Sequence, residues 1–82
     1  MRLRLTPRAI EDLSAIADYL RVRNPAAAQR VLAAVLQTLA FLVRFPNAGR
    51  AQTVEGVRKI VTRRYPYTVY YSVDGARQEV SF

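Results

Sequence analysis

Residues Thr6 to Pro46 read TPRAIEDLSAIADYLRVRNPAAAQRVLAAVLQTLAFLVRFP, and this stretch decides the fold. It carries the same start signal twice. Thr6-Pro7 and Asn24-Pro25 each place a side-chain acceptor for free backbone N–H groups just before a proline. Proline suits the first helical position because the N–H it lacks would be unpaired there anyway. After Pro7, the residues Ile10, Leu13, Ile16, Ala17 and Leu20 recur at helical spacing, with Glu11, Asp12 and Asp18 off the stripe. Arg21 and Arg23 close this helix, where positive charge complements the helix dipole. After Pro25, Ala28, Leu32, Val35, Leu36, Leu39, Leu42 and Val43 form a seam like that of a coiled coil. The interspersed alanines favour helix and permit close approach. Pro46 stops the pattern. With roughly two residues of connection, the two segments are expected to form an antiparallel helix hairpin.

Outward from the hairpin, the texture is that of strands. Met1, Leu3 and Leu5 alternate with Arg2 and Arg4, the period of a half-buried strand. Asn47 to Gly56 has no periodicity and reads as a surface loop. Val57 to Tyr65 is rich in strand-favouring residues, but Val57, Ile60 and Val61 do not share one parity, so its buried face stays open. Pro66 marks an end or a bend, since it cannot donate to a ladder. Tyr67, Val69, Tyr71 and Val73 share one face of the next strand, and Thr68, Tyr70 and Ser72 the other. Asp74-Gly75 signals a tight turn, and Arg77 to Phe82 is the returning strand. The order strand, helix, helix, strand, strand, strand predicts an α+β fold. The helix hairpin would lie on one face of a small, largely antiparallel sheet, leaving the opposite face partly open.

Composition bounds the chemistry. The chain has 82 residues, 13 Lys+Arg against 6 Asp+Glu, a formal charge of +7, and neither Cys nor His. That length fits a single domain over 1–82 with a thin core. Disulfides, Cys-ligated metal, His-type zinc sites, a His-based triad and His-assisted RNA cleavage are all excluded. No cofactor or metal is expected. The longest apolar run, Val31 to Leu36, is far short of the roughly 20 residues that span a bilayer, and no secretory signal is visible, so no membrane partner is expected. The missing Cys fits a reducing cytosol.

The charge is concentrated. Between Val57 and Tyr71 stand Arg58, Lys59, Arg63 and Arg64 with no acid, interleaved with Tyr65, Tyr67, Tyr70 and Tyr71. Cations neutralise phosphates or acidic partner segments, and rings supply stacking or apolar anchors. Arg58, Lys59, Arg63, Arg64, Tyr65, Tyr70 and Tyr71 are therefore the candidate contact residues. The competing explanation is a solvated face, since strands favour Tyr and outward Arg blunts sheet edges. The carboxylates have no spacing that demands general acid–base roles, and Ser14, Ser72 and Ser81 have no His partner.

Taken together, these motifs resemble the RelE/ParE toxin superfamily of type II toxin–antitoxin systems. Thr6-Pro7-Arg8-Ala9 with Leu13 and Ile16 is similar to its opening motif. Phe45-Pro46-Asn47-Ala48-Gly49-Arg50, Gly56-Val57-Arg58-Lys59-Ile60 and Arg64-Tyr65-Pro66-Tyr67-Thr68-Val69-Tyr70-Tyr71 continue it in order. The likeness is closer to the ParE and plasmid-stabilisation branch than to the ribosome-dependent RNases. It implies a cytoplasmic toxin bound in a hetero-oligomer by a cognate antitoxin with an acidic, helical C-terminal segment. ParE-like members poison DNA gyrase without catalysis of their own. RelE-like members cut mRNA in the ribosome. For that alternative Arg58, Lys59 and Arg64 would stabilise the phosphate, with Tyr70 or Tyr71 as platform, and no His to assist. Family chains usually complete the last strand and add a short basic tail. Here the last strand and tail are expected to be cut short at Phe82, which makes an inactive, antitoxin-binding member a further alternative.

Overall fold

The computed structural model describes residues 1–62 and 67–82. Its elements are β1 (Arg2–Arg4), α1 (Pro7–Arg23), α2 (Pro25–Arg44), β2 (Arg50–Ala51), β3 (Val57–Val61), β4 (Thr68–Asp74) and β5 (Glu79–Ser81). The helix starts are those the caps announce. Thr6 Oγ1 accepts from the Ala9 N–H at 3.2 Å, and Asn24 Oδ1 from the Ala27 N–H at 3.1 Å. The hairpin is tighter than expected, because Asn24 alone connects the helices. Its backbone N–H also closes α1, donating to the Leu20 carbonyl at 2.6 Å. One extended residue thus caps both helices.

The five strands form one sheet in the order β1-β5-β4-β3-β2. Only β1 and β5 pair in parallel; the other neighbours are antiparallel. The α+β layout follows expectation, with one more strand than the sequence signals. β2 lies inside the stretch that reads as a loop, because two residues are too few to show a period. The connection after Asp74 also differs. The strands part at Asp74 and rejoin at Glu79, and the left-handed residue is Gln78 (φ 53°), not Gly75. Asp74 Oδ1 takes the Arg77 N–H at 3.1 Å and organises this wider turn.

The core lies between α2 and the sheet: Val31, Val35, Leu39, Leu42, Tyr71, Val80 and Phe82 are buried together. The seam on α2 is rotated from the expected one, since Val31 is inside while Leu36 is exposed. α1 packs against α2 and approaches no strand closely. Leu5, Ala9, Leu13, Ile16 and Leu20 therefore cover the core only in part, and Ile10 at the start of the predicted stripe stays exposed. α2 is long and apolar enough to cross a bilayer by length and composition, but its buried stripe is the domain core.

The end of the chain is tied to its beginning. The Arg2 N–H donates to the Gln78 carbonyl at 2.7 Å, and the Phe82 N–H to the Arg4 carbonyl at 3.0 Å. The Thr6 hydroxyl donates to the Phe82 carbonyl.

Candidate partner interface on the open sheet face

The register of β3 on β4 sorts the candidate residues, because successive strand side chains point to opposite faces. Arg58 stands opposite Tyr71 and Ile60 opposite Val69. These face the helices. Lys59 stands opposite Tyr70 and Val61 opposite Thr68. These face the open side. The basic run Arg58-Lys59 therefore does not form one surface, and neither does Tyr70-Tyr71. Arg63, Arg64 and Tyr65 lie outside the described residues.

Tyr71 is corrected from contact residue to core residue. It is 2% exposed, whereas Tyr70 is 58% exposed. Its ring packs on Phe82 with centroids 5.8 Å apart. Its hydroxyl accepts from the Gly49 N–H and donates to the Pro46 carbonyl, both at 2.8 Å. Gly49 must be glycine for this contact: a Cβ there would sit 2.7 Å from Tyr71 Cε1 and 2.9 Å from the Lys59 carbonyl. Arg58 serves the same loop. One guanidinium nitrogen donates to the Gly49 carbonyl at 2.7 Å and the Asn47 carbonyl at 3.3 Å. Buried backbone groups need partners, and Tyr71 and Arg58 supply them to residues 46–49. The family-like stretch around Phe45-Pro46-Asn47-Ala48-Gly49 is thus held from beneath by two residues whose types suggest surface contact.

What remains on the open face is a row across three strands. Arg50 on β2 stands opposite Lys59 on β3, which stands opposite Tyr70 on β4. Arg50 is the residue that sequence reasoning missed, since only its pairing with Lys59 reveals it. Like charges directly opposite one another in a sheet are destabilising. The juxtaposition of Arg50 and Lys59 is thus poor for the free domain and good for an anion laid across both. The carboxylates do not relieve it. Four of the described acids already pair elsewhere, Glu79 with Arg4 at 3.8 Å, Asp12 with Arg8 at 3.4 Å, Asp18 with Arg21 at 3.5 Å and Asp74 with Arg77 at 3.7 Å. Among the described residues no group of His, Cys, Asp and Glu is placed to hold a metal.

A second concavity lies between α1 and β4, a trough of about 620 Å³. Its walls include Leu5, Leu13, Ile16, Val69 and Phe82, and its charged lining residues, Arg8 and Asp12, pair with each other. Small-molecule sites are roughly 300–1,000 Å³ and mostly apolar with a few placed polar groups. This trough is mostly apolar, with the hydroxyl-bearing Tyr67, Thr68 and Tyr70 on its β4 side.

Comparison with known proteins agrees with the fold. The chain superposes on a solved structure described as the chromosomal ParDE TA system from P. aeruginosa, with a TM-score of 0.83 and 30% identity, covering 100% of this chain and 89% of that one. It is 32% identical over 72 residues to a putative toxin, Y4kP, of Sinorhizobium fredii, covering 88% of this chain and 75% of that protein. It is 38% identical over 71 residues to Toxin RelE2 of Caulobacter vibrioides, covering 85% of this chain and 78% of that protein. The family model for the ParE toxin of the type II toxin–antitoxin system parDE matches residues 3–81. The chain belongs to the ParE toxin family of type II toxin–antitoxin systems.

Proposed function

We propose that this chain is a ParE-like toxin that acts by binding and poisoning DNA gyrase in the cytoplasm, and that a cognate antitoxin with an acidic segment neutralises it. The observation that carries this reading is the open-face row Arg50, Lys59 and Tyr70. Two uncompensated cations and an exposed ring suit the capture of an anionic polypeptide or a protein–DNA complex. The row includes no carboxylate, and the sequence holds no His, so it offers no near-neutral acid–base pair. The ParDE structure that this chain resembles is a toxin–antitoxin system, which supports the antitoxin as partner.

A second reading, a ribosome-dependent mRNA endonuclease, is favoured by the likeness to Toxin RelE2. One experiment separates them. The chain is induced alone and together with any small protein encoded beside its gene. The purified chain is then given to gyrase with supercoiled plasmid, and in parallel to translating ribosomes. Growth arrest relieved by the neighbour, with trapped linear plasmid and intact mRNA, is the expected result. Cleaved mRNA with unaffected gyrase replaces the first reading by the second. Complex formation without any effect on growth leaves antitoxin binding as the sole function.

A further inference from the structure

α2 ends in two exposed rings. Phe41 is 44% and Phe45 52% exposed, and their ring centroids lie 5.1 Å apart. Neither belongs to the buried core cluster. Helix propensity does not call for Phe41 either, since Ala, Lys or Gln serves an exposed helical position better. Arg44 stands beside them, its guanidinium 5.7 Å from the Phe45 ring centroid. With Pro46, Asn47 and Ala48 these three residues rim an open depression at the end of the helix.

The backbone that carries this pair is fixed. The Phe45 N–H donates to the Phe41 carbonyl at 2.9 Å, and the Ala48 N–H to the Phe45 carbonyl at 3.0 Å. From beneath, the Tyr71 hydroxyl and the Arg58 guanidinium hold Pro46, Asn47 and Gly49. The rings are displayed on a loop already locked in place, so little loop order has to be gained on binding. The charge around them has one sign. From residue 19 to residue 54 the sequence contains no Asp or Glu. Among the described residues Arg44 has no ion pair, and neither has Arg50, which follows the loop on β2.

We propose that Phe41, Arg44 and Phe45, continued by Arg50, are a docking surface for gyrase. The matching site on gyrase is an apolar pocket that takes the two rings, edged by carboxylates that meet Arg44 and Arg50. Aromatic and Arg side chains are the residue types that most often carry binding energy at protein interfaces, and the one-signed charge sets the sign of the partner. A pre-set pair of rings suits a folded partner, whose own surface moves little on binding. A flexible segment supplies its own adaptation and has no need of a locked loop. A second copy of this chain is the poorer occupant, because each copy carries +7 and like charge opposes association. The proposal rests on the gyrase reading and adds to the open-face row a surface reached around the β2 edge.

The test uses the full chain and purified gyrase holding supercoiled plasmid. Affinity is read by biolayer interferometry and poisoning by trapped linear plasmid. Phe45→Gln is expected to weaken gyrase binding by about tenfold or more, with trapping reduced in step. Val22→Gln alters an apolar side chain that is 85% exposed at the other end of the hairpin, and it is expected to change binding by less than about twofold. Binding to any small protein encoded beside the gene is measured in parallel and is expected to stay within about twofold for both variants. Unaltered chain that binds and traps gyrase, with Phe45→Gln equal to it, overturns the docking surface while the gyrase reading stands. Unaltered chain that neither binds nor traps gyrase overturns both. Loss of binding to the neighbour-encoded protein alone overturns the proposal and reassigns the rings to that partner, and loss of self-association alone reassigns them to a second copy. If Phe45→Gln fails to fold, Arg44→Glu, an exposed charge reversal on the same surface, decides by the same readings.

Discussion

Tyr71→Phe isolates the contact that holds residues 46–49. The substitution keeps the ring on Phe82 and removes only the hydroxyl. Two bonds of 2.8 Å are lost with it, one from the Gly49 N–H and one to the Pro46 carbonyl. Gly49 is buried, so its N–H has no access to water. Leaving such a donor unsatisfied costs about 1–3 kcal/mol. The Pro46 carbonyl is half-buried, and water recovers part of its loss, adding up to about 1 kcal/mol. The expected total is about 1–4 kcal/mol. For a domain of this length that is a large share of a stability on the order of 4–12 kcal/mol. At about 4–8 °C per kcal/mol, Tm falls by roughly 4–30 °C. The assay is two-state thermal and urea unfolding followed by circular dichroism, with Tyr70→Phe as the surface control. A loss below about 0.5 kcal/mol for Tyr71→Phe, or an equal loss for Tyr70→Phe, refutes the assignment of Tyr71 as the internal strut of that loop.

Arg58→Ala is expected to lower stability by about 1–3 kcal/mol in urea unfolding, because its charge-assisted bonds to the Gly49 and Asn47 carbonyls are lost. Lys59→Glu reverses the sign of the neighbouring residue and turns its pairing with Arg50 attractive. The free domain is expected to gain about 0.2–1 kcal/mol while antitoxin affinity and toxicity fall, measured by unfolding and by growth after induction. Asn24→Ala removes the acceptor for the Ala27 N–H, and a loss of about 1 kcal/mol is expected by thermal unfolding. Leu42→Ala opens a cavity at a fully buried position, with an expected cost of about 2–5 kcal/mol in the same assay.

The hairpin was legible because its determinants are local. Thr6-Pro7 and Asn24-Pro25 fix the helix starts by chemistry that involves only the next three residues. The alternation from Tyr67 to Val73 was legible for the same reason, and the buried parity of β4 is the one it shows. The faces of Arg58 and Lys59 were not legible. On β3 the apolar residues have mixed parity, because Arg58 spends its side chain on loop carbonyls from the helix side while Val61 sits exposed on the other. Only the pairing with β4 decides between them. β2 is fixed by that same long-range pairing, which is why Arg50 escaped notice as a member of the open-face row. The adjacency of Arg58 and Lys59 along the chain was misleading, since a period of two divides neighbours between opposite surfaces.

The parallel pairing of β1 with β5 joins the second residue of the chain to the seventy-ninth. Antiparallel neighbours and the helix hairpin are short-range and quick to form, whereas this closure has to wait for almost everything between. A ribosome from which Glu79–Ser81 has not yet emerged holds a domain whose first strand has nothing to lie against. Newly made toxin therefore passes through a stage in which hairpin and meander exist but the outermost seam is still unzipped. Any partner that engages the nascent protein meets that unfinished form first.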